Sequence, residues 1–288
     1  MLDKLGIFIL KATSRLPMWL LYGISNMLYI LLYYVFSYRK KVVYTNLHNS
    51  FPEKSEKEIE AIAKQFYKHL TDLGVEIIKA FSISEKELLQ RVKMKDQALL
   101  DEHFKNKQNI ILVSGHYGNW EWLGLAISYY SKMEMVSVYK PIQNELFNNL
   151  FIKMRSQFGA DIVPMKQFFR QVIRKRRNQI MPSLVADQTP HKGEIEYWTQ
   201  FLNQETPVYL GVEKMTQMLK VPVYYTAMNK VKRGHYEIEL IKVSDGIDEP
   251  EYAITNKHVK ILEKHIQASP ANWLWSHKRW KYKKENLN

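Results

Sequence analysis

The chain has 288 residues, 46% of them hydrophobic and 25% charged, a composition typical of a large globular protein that excludes a disordered or fibrous chain. It contains no cysteine, which excludes disulfides, cysteine-ligated zinc, iron–sulfur clusters and thiol nucleophiles. Lys and Arg number 42 against 29 Asp and Glu, a net charge of +13. This surplus indicates an anionic partner: nucleic acid, anionic lipid, or an acidic carrier or substrate.

An uncharged segment of 21 residues, 16–36, lies near the N-terminus with basic residues on both sides. A helix of that length would extend about 30 Å, the thickness of the hydrocarbon core of a bilayer. The segment is too long for a cleaved signal peptide, and no small-residue cleavage site follows it. We therefore predict a membrane anchor over residues 1–40, spanning the bilayer or lying in its interface, with a buried core helix as the alternative. Residues 41–288 are predicted to form one further domain.

Helical and strand patterns alternate along the rest of the chain. The first helix is predicted over 55–80, where Ser55 and Glu58 form a capping-box pattern. The remaining helices are predicted over 84–91, from near Asn119, and over 144–158, 208–219 and 255–267. Strands are predicted over 109–114, 135–139, 180–186, 221–228 and 236–243. This order predicts an α/β fold with a mostly parallel central sheet flanked by helices. Pro182 and Pro222 predict irregular or edge strands.

In folds of this class, binding sites form where the carboxyl ends of the strands meet. Three segments of the sequence follow a predicted strand directly: GHYGNWEW after 109–114, YKPIQN after 135–139, and ADQTPHKG after 180–186.

His116 and Glu121 stand out in the first of these segments. Of four His-x4-Glu pairs in the chain, only this one lies in a glycine-bracketed turn directly after a predicted buried strand. A histidine can take a proton from a hydroxyl at neutral pH, and a carboxylate on its far ring nitrogen fixes the tautomer. There is no cysteine and no G-x-S-x-G elbow, so the nucleophile is best sought on the substrate, and the dyad suits direct acyl transfer. The alternative is a structural histidine in a tight turn.

Other site chemistries find no support in the motifs. The sequence contains no H-E-x-x-H zinc motif, no Walker A loop and no G-x-G-x-x-G, so no metal site is predicted. Gly115 and Gly118, which bracket the turn, would let a substrate come close to the backbone.

GHYGNWEW resembles the signature of the late acyltransferases of lipid A biosynthesis, a bacterial family of the lysophospholipid acyltransferase superfamily. The resemblance extends over roughly residues 16–281, and Asn203 departs from it, since the family usually has Gly there. Five further segments resemble family motifs in the same order: NLHNSFPE (46–53), VYKPIQN (138–144) with Arg155 and Gly159, VADQTP (185–190), FLNQETPVYLG (201–211) and WLWSHKRWK (273–281).

The resemblance implies an acyltransferase domain at the bacterial inner membrane, facing the cytoplasm and held by an N-terminal membrane helix. It implies transfer of a fatty acyl chain from acyl carrier protein, or sometimes coenzyme A, to a hydroxyl of a lipid A precursor, with no cofactor beyond this acyl donor. By position, His116 is the base and Glu121 its partner. Arg155 would bind the carbonyl oxygen or a phosphate, and Asp187 would orient the site. The implied substrate-binding residues are Arg155, Asp187, Asn119 and Gly118.

Three other interpretations stay open: an acyltransferase for a lysophospholipid, one for an ornithine lipid, and a non-catalytic membrane-associated lipid-binding protein. The lysophospholipid enzymes normally carry an E-G-T-R-type motif, which is missing here. A nucleic-acid-binding protein is disfavoured because RNP, KH and zinc-finger signatures are missing and the N-terminus is membrane-like.

Two basic runs, 170–178 and 277–284, are candidates for docking an acidic carrier or lipid phosphates, and a solvated helix face is the alternative for 170–178. In the second run, Trp273, Trp275 and Trp280 favour a membrane interface.

Overall fold

A seven-stranded sheet forms the centre of the protein, whose computed structural model describes residues 2–286. The strand order is β1-β9-β8-β2-β5-β3-β4, and all neighbours are parallel except β8 and β9. The strands of this sheet are β1 Val92–Met94, β2 Ile111–Ser114, β3 Glu134–Tyr139, β4 Asp161–Pro164, β5 Ile180–Val185, β8 Val223–Lys232 and β9 His235–Ser244. An antiparallel hairpin is formed by β6 Tyr197–Phe201 and β7 Gln204–Val208.

Eleven α-helices surround the sheet within the described residues. They are α1 Leu2–Ser14, α2 Met18–Ile30, α3 Lys40–Ser50, α4 Glu56–Ala80, α5 Glu85–Arg91, α6 Gln97–Lys105, α7 Trp120–Tyr130, α8 Glu145–Arg155, α9 Met165–Lys175, α10 Gly211–Leu219 and α11 Ala253–Ala268. The predicted α/β fold with a mostly parallel sheet is confirmed. The capping box of α4 is present as predicted, with Ser55 and Glu58 bonding each other's backbone amides.

The sheet lies between two apolar clusters, and β2 shows how its strands contribute to both. Ile111 and Val113 belong to one cluster, and Ile110 and Leu112 belong to the other. Successive side chains of a strand point to opposite faces, so a short run of apolar residues fills both cores. The prediction of a strand buried on both faces is confirmed here.

Pro182 lies in β5, which occupies a central position between β2 and β3. The expectation of an edge or irregular strand at this proline is therefore wrong. The ladder between β5 and β2 begins at Ser183, one residue after the proline. The missing amide donor of Pro182 therefore does not interrupt the ladder with β2.

Asn203 occupies the two-residue turn between β6 and β7, where Leu202 and Asn203 have φ of 50° and 61°. Asparagine tolerates this left-handed region better than most residues, which allows it to replace glycine in the turn. Its side-chain amide also donates to the Ser50 carbonyl at 3.1 Å.

The predicted anchor, residues 1–40, contains two helices: α1 and a continuous apolar helix, Met18–Val35, whose last five residues are a π-helix. By length and composition the apolar helix could cross a membrane, and 22% of it is buried inside the protein. Its buried side packs on α4, where the Ser25 hydroxyl donates to Asp72 at 2.7 Å, while Trp19 and Met27 are exposed. The division into 1–40 and 41–288 stays a prediction, and its outermost residues, 1 and 287–288, lie outside the described residues.

Candidate active site

His116 and Asp187 are joined at the carboxyl ends of two neighbouring parallel strands. Ser114, the last residue of β2, pairs with Val185 of β5, so the residues that follow each strand meet. The Nδ1 of His116 lies 2.6 Å from Oδ1 of Asp187, and the His116 backbone amide donates to Oδ2 at 2.8 Å. Gly115 permits this approach, because a Cβ there would lie 3.2 Å from the Asp187 carboxylate and 2.9 Å from Leu262.

The charge and position of Asp187 are fixed by its surroundings. Burial alone would raise its pKa, but electrostatic attraction to His116, hydrogen bonds from the His116 ring and backbone, and the hydrogen bond from the Trp273 indole lower the pKa to about 2. The Trp273 Nε1 donates to Oδ2 at 2.8 Å. An ionised carboxylate can only accept, so His116 Nδ1 must donate and Nε2 is left as the proton acceptor. This Nε2 lies 3.2 Å from the Gln188 side-chain amide.

Glu121 is held by Arg155, and the His116 ring donates to Asp187 and not to Glu121, the partner that we expected. Arg155 donates to Glu121 through Nε at 2.9 Å and Nη2 at 2.6 Å, a bidentate ion pair between the first turn of α7 and the end of α8. Burial would lower the pKa of Arg155, but the Glu121 carboxylate raises it. Glu121 therefore positions a cation, while Asp187 orients the histidine.

Asn119 and Gly118 make structural contacts in the turn before α7, and their role in binding substrate stays a prediction. Asn119 is fully buried at the N-cap of α7, where its oxygen accepts from the Trp122 amide and its nitrogen donates to Glu76. Gly118 has φ of +64°, and a Cβ there would lie 2.5 Å from the Met228 carbonyl oxygen. Both residues shape the turn, and neither lines the cavity next to His116.

A cavity of about 300 Å³ opens beside the imidazole of His116. All three segments that follow predicted strands reach it, through His116, Lys140 and Gln188, so the rule about strand ends located the site. One part of the wall is polar and carries Glu121 and Arg155. The apolar part of the wall consists of Gly124, Leu125, Met135, Val138, Ile162, Met165 and Val185, next to Trp120 and Tyr139.

Behind Asp187, the start of the segment 273–281 is packed into the protein, whereas the lysines of the C-terminal basic run, Lys278, Lys281, Lys283 and Lys284, are exposed. Trp273 and Trp275 are buried in the core and Arg279 is 1% exposed, so the prediction that this tryptophan cluster faces a membrane is wrong for these residues. Arg279 and His258 line a cavity of about 10 Å³ together with Asp187, with room for about one water molecule. Arg279 Nε and Nη1 and His258 Nε2 have no hydrogen-bond partner among the described residues. Burial lowers the pKa of Arg279 to about 10, and attraction by Asp187 opposes that shift.

The sequence profile of one family, described as bacterial lipid A biosynthesis acyltransferase, matches residues 1–282. The chain belongs to this family. A comparison with curated protein sequences gives no match. In this acyltransferase, His116, Glu121 and Arg155 line one cavity, and Asp187 lies behind the histidine. Within residues 2–286 no group of three or more His, Asp or Glu side chains is arranged to hold a metal ion.

Three residues of the acyltransferase site were not found as site residues by sequence reasoning: Gln188, Trp273 and Arg279. Gln188 follows Asp187 in a segment that the strand-end rule had already selected, so a signal for it existed. Trp273 and Arg279 come from the C-terminal segment, far along the chain from both strands, and no local pattern connects them with Asp187.

Proposed function

We propose that the chain transfers a fatty acyl group from the thioester of acyl carrier protein, or of coenzyme A, to a hydroxyl of a lipid A precursor. The observation that carries this proposal is the His116–Asp187 pair, which leaves Nε2 as a base beside a cavity with an apolar wall. The chain would act at the cytoplasmic face of the bacterial inner membrane, supported by the apolar helix Met18–Val35.

The reaction is a direct displacement without an acyl-enzyme. Nε2 of His116 accepts the hydroxyl proton while the hydroxyl oxygen attacks the thioester carbonyl carbon. The tetrahedral oxyanion then collapses, the carbon–sulfur bond breaks, and the imidazolium returns the proton to the thiolate. The products are an ester on the acceptor and a free thiol on the carrier. Asp187 stabilises the imidazolium between the two proton transfers.

Arg155 is the candidate for binding the developing oxyanion or a phosphate of the acceptor. Its Nε and one N–H of Nη2 are engaged by Glu121, which leaves three of the five guanidinium N–H groups for a ligand. Because these donors are fixed before substrate arrives, they need no reorganisation as charge develops on the carbonyl oxygen. Glu121 thus contributes by holding the cation in place.

The test uses the full-length protein with acyl carrier protein thioester and a lipid A precursor, lysophospholipid or ornithine lipid as separate acceptors. We expect ester formation on the lipid A precursor and a loss of at least about 100-fold in turnover for His116→Ala. His191→Ala is the matched control, because His191 is an exposed histidine outside the cavity. Wild-type turnover by His116→Ala would contradict the proposal that His116 is the base. Transfer only to another acceptor would contradict the proposal that a lipid A precursor is the substrate.

A further inference from the structure

A second, separate groove of about 220 Å³ lies between the end of α1, the end of α4 and the second half of α8. Its cationic wall is formed by Lys11, Arg15 and Lys153, and its apolar wall by Phe81, Leu150 and Met154. None of the residues lining it lines the cavity next to His116, and no acidic residue lines it. It is therefore a distinct site with a net positive charge.

The three cations of this groove are uncompensated. Within residues 2–286 none of Lys11, Arg15 and Lys153 forms an ion pair with a carboxylate, whereas Lys175 on the far side of β4 pairs with both Glu134 and Asp161. Three like charges around one concavity repel each other until an anion binds between them. The lining is thus complementary to a group that carries more than one oxygen and a negative charge, such as a phosphate.

The helix α1 adds an apolar surface to this cationic groove. Leu5, Phe8 and Ile9 in its first half are 54%, 69% and 54% exposed. At about 1.5 Å per residue, Lys11 lies about 4.5 Å beyond Phe8 along the helix axis. The apolar side chains would contact the lipid tails, and the cation that follows them would contact the phosphate, so their order along the helix matches the order of tail and phosphate in a lipid.

The neighbouring helix α8 repeats the same order. A Cβ on Gly6 would lie 3.5 Å from the Phe147 ring, so the first half of α1 packs on the first turn of α8. Leu146, in that turn, is 46% exposed, and Lys153 follows two turns later in the groove. The two helices run in the same direction, each with exposed apolar residues at its start and a cation near its end.

We propose that this groove binds the phosphate of a membrane lipid, with the lipid chains lying along the exposed starts of α1 and α8. The phosphate belongs to an anionic phospholipid or to a phosphorylated glycolipid acceptor. The binding itself does not depend on the proposed acyl transfer, and only the choice of the acceptor as its source rests on that function. Arg155, the last residue of α8, lines the cavity next to His116. A lipid bound in the groove would therefore contact the helix that positions Arg155.

The test compares two triple variants of the full-length protein in neutral detergent. The groove variant is Lys11→Gln, Arg15→Gln and Lys153→Gln. The control variant is Lys93→Gln, Lys105→Gln and Lys107→Gln, which removes the same charge from exposed residues that do not line the groove and form no ion pair among residues 2–286. Circular dichroism checks that both variants keep the fold.

Binding is measured by calorimetric titration with dioctanoyl phosphatidic acid, with dioctanoylglycerol, which lacks the phosphate, and with inorganic phosphate, which lacks the chains. We expect the groove variant to bind phosphatidic acid about 10- to 100-fold more weakly, since each cation near an anionic lipid contributes about 1 kcal/mol. The control variant should bind it like the wild type. Equal binding of both phosphatidic acid and the lipid A precursor by the two variants would overturn the proposal, as would inorganic phosphate binding as tightly as the lipid.

Two further arms identify the source of the phosphate. If the lipid A precursor loses affinity in the groove variant while phosphatidic acid does not, the acceptor is the ligand; the reverse result assigns the groove to a membrane phospholipid. A titration with acyl carrier protein covers the competing class of partner, and loss of carrier binding alone would overturn a lipid site. All of these titrations run without turnover, so a protein inactive in acyl transfer still gives an interpretable binding result.

Discussion

His116 and Asp187 are 71 positions apart in the chain, yet Nδ1 of the imidazole lies 2.6 Å from the Asp187 carboxylate. The contact exists because β2 and β5 are parallel neighbours and both residues follow the ends of their strands. The buried carboxylate also accepts from the Trp273 indole. The orientation of the candidate base therefore depends on three separate segments of the chain.

The Asp187→Asn variant tests this orientation. The amide can donate to Nδ1 and so favours the tautomer with the proton on Nε2, which cannot act as a base. We expect kcat to fall by about 10³- to 10⁴-fold with a small change in KM. Glu121→Gln is the comparison, because Glu121 bonds Arg155 and not the imidazole, and we expect a smaller loss from it. A larger loss of kcat from Glu121→Gln would contradict this assignment and favour Glu121 as the partner of His116, as the sequence spacing suggested.

The Glu121–Arg155 ion pair makes a prediction about stability. The side chain of Glu121 is 8% exposed and that of Arg155 30% exposed, so Arg155→Met leaves a nearly buried carboxylate without its cation. We expect the free energy of unfolding to fall by about 2 kcal/mol. The double variant Arg155→Met, Glu121→Gln should recover part of that loss, because the unpaired charge is gone. Chemical denaturation of the four proteins gives the coupling energy, and strictly additive losses would contradict a coupled pair.

Gly124 makes a prediction about chain length. It lies in α7 against the cavity, and the nearest atom to a Cβ there would be Met135 Cε at 3.8 Å, so Gly124→Ala fits and Gly124→Leu projects into the cavity. If the acyl chain occupies the apolar wall, Gly124→Leu should shift transfer towards shorter chains. Each methylene excluded from the cavity costs about 0.8 kcal/mol, or roughly fourfold in kcat/KM. A donor series of increasing length measures the shift, and an unchanged profile would place the chain elsewhere.

The buried histidines predict an acid-sensitive window. Burial and then the charge of Lys230 lower the pKa of His69 to about 3, and burial lowers that of His258 to about 4 against the attraction of Asp187. Unfolded histidine has a pKa of about 6.5, so below that pH the unfolded chain binds protons that the native protein does not. Stability should therefore fall as the pH drops from about 6.5 towards 4, by about 1.4 kcal/mol per pH unit for each histidine.

Denaturation at several pH values measures this slope. His258→Asn should reduce it, and His191→Asn, which changes an exposed histidine, should not. Asp187 acts in a different window: its pKa is lowered to about 2, so its contribution is present above about pH 4 and is lost only as the pH falls towards 2. A slope unchanged in His258→Asn would mean that His258 is protonated in the native protein.

The sequence predicted the α/β class with a mostly parallel sheet, and it predicted most of the long elements, because their signals are local. The helix α4 has a capping box and a regular apolar face, and β2 is a short apolar run ending at glycine. Short or polar elements such as β1, α3 and the β6–β7 hairpin were missed, because three to eleven residues carry too little periodicity. The helix predicted from 208 begins at Gly211, since Gln204–Val208 pairs as a strand.

The sequence predicted where the candidate site lies, but it did not predict which carboxylate pairs with His116. Spacing along one helix turn suggested that Glu121 serves His116, and the structure instead uses a carboxylate from the next strand of the sheet. Contacts between distant segments follow from strand order, which no local spacing encodes. Pro182 illustrates the same limit, since its tolerance in a central strand depends on where the neighbouring ladder begins.

The carboxylate of Glu76 connects the apolar N-terminal helix with the catalytic turn. It is fully buried, burial raises its pKa, and it accepts from Tyr22 of α2, Tyr236 of β9 and Asn119, the N-cap residue of α7. A displacement of α2 would therefore act on the group that fixes the turn after His116. The apolar helix and the turn that carries the candidate base are thus coupled mechanically through a buried side chain.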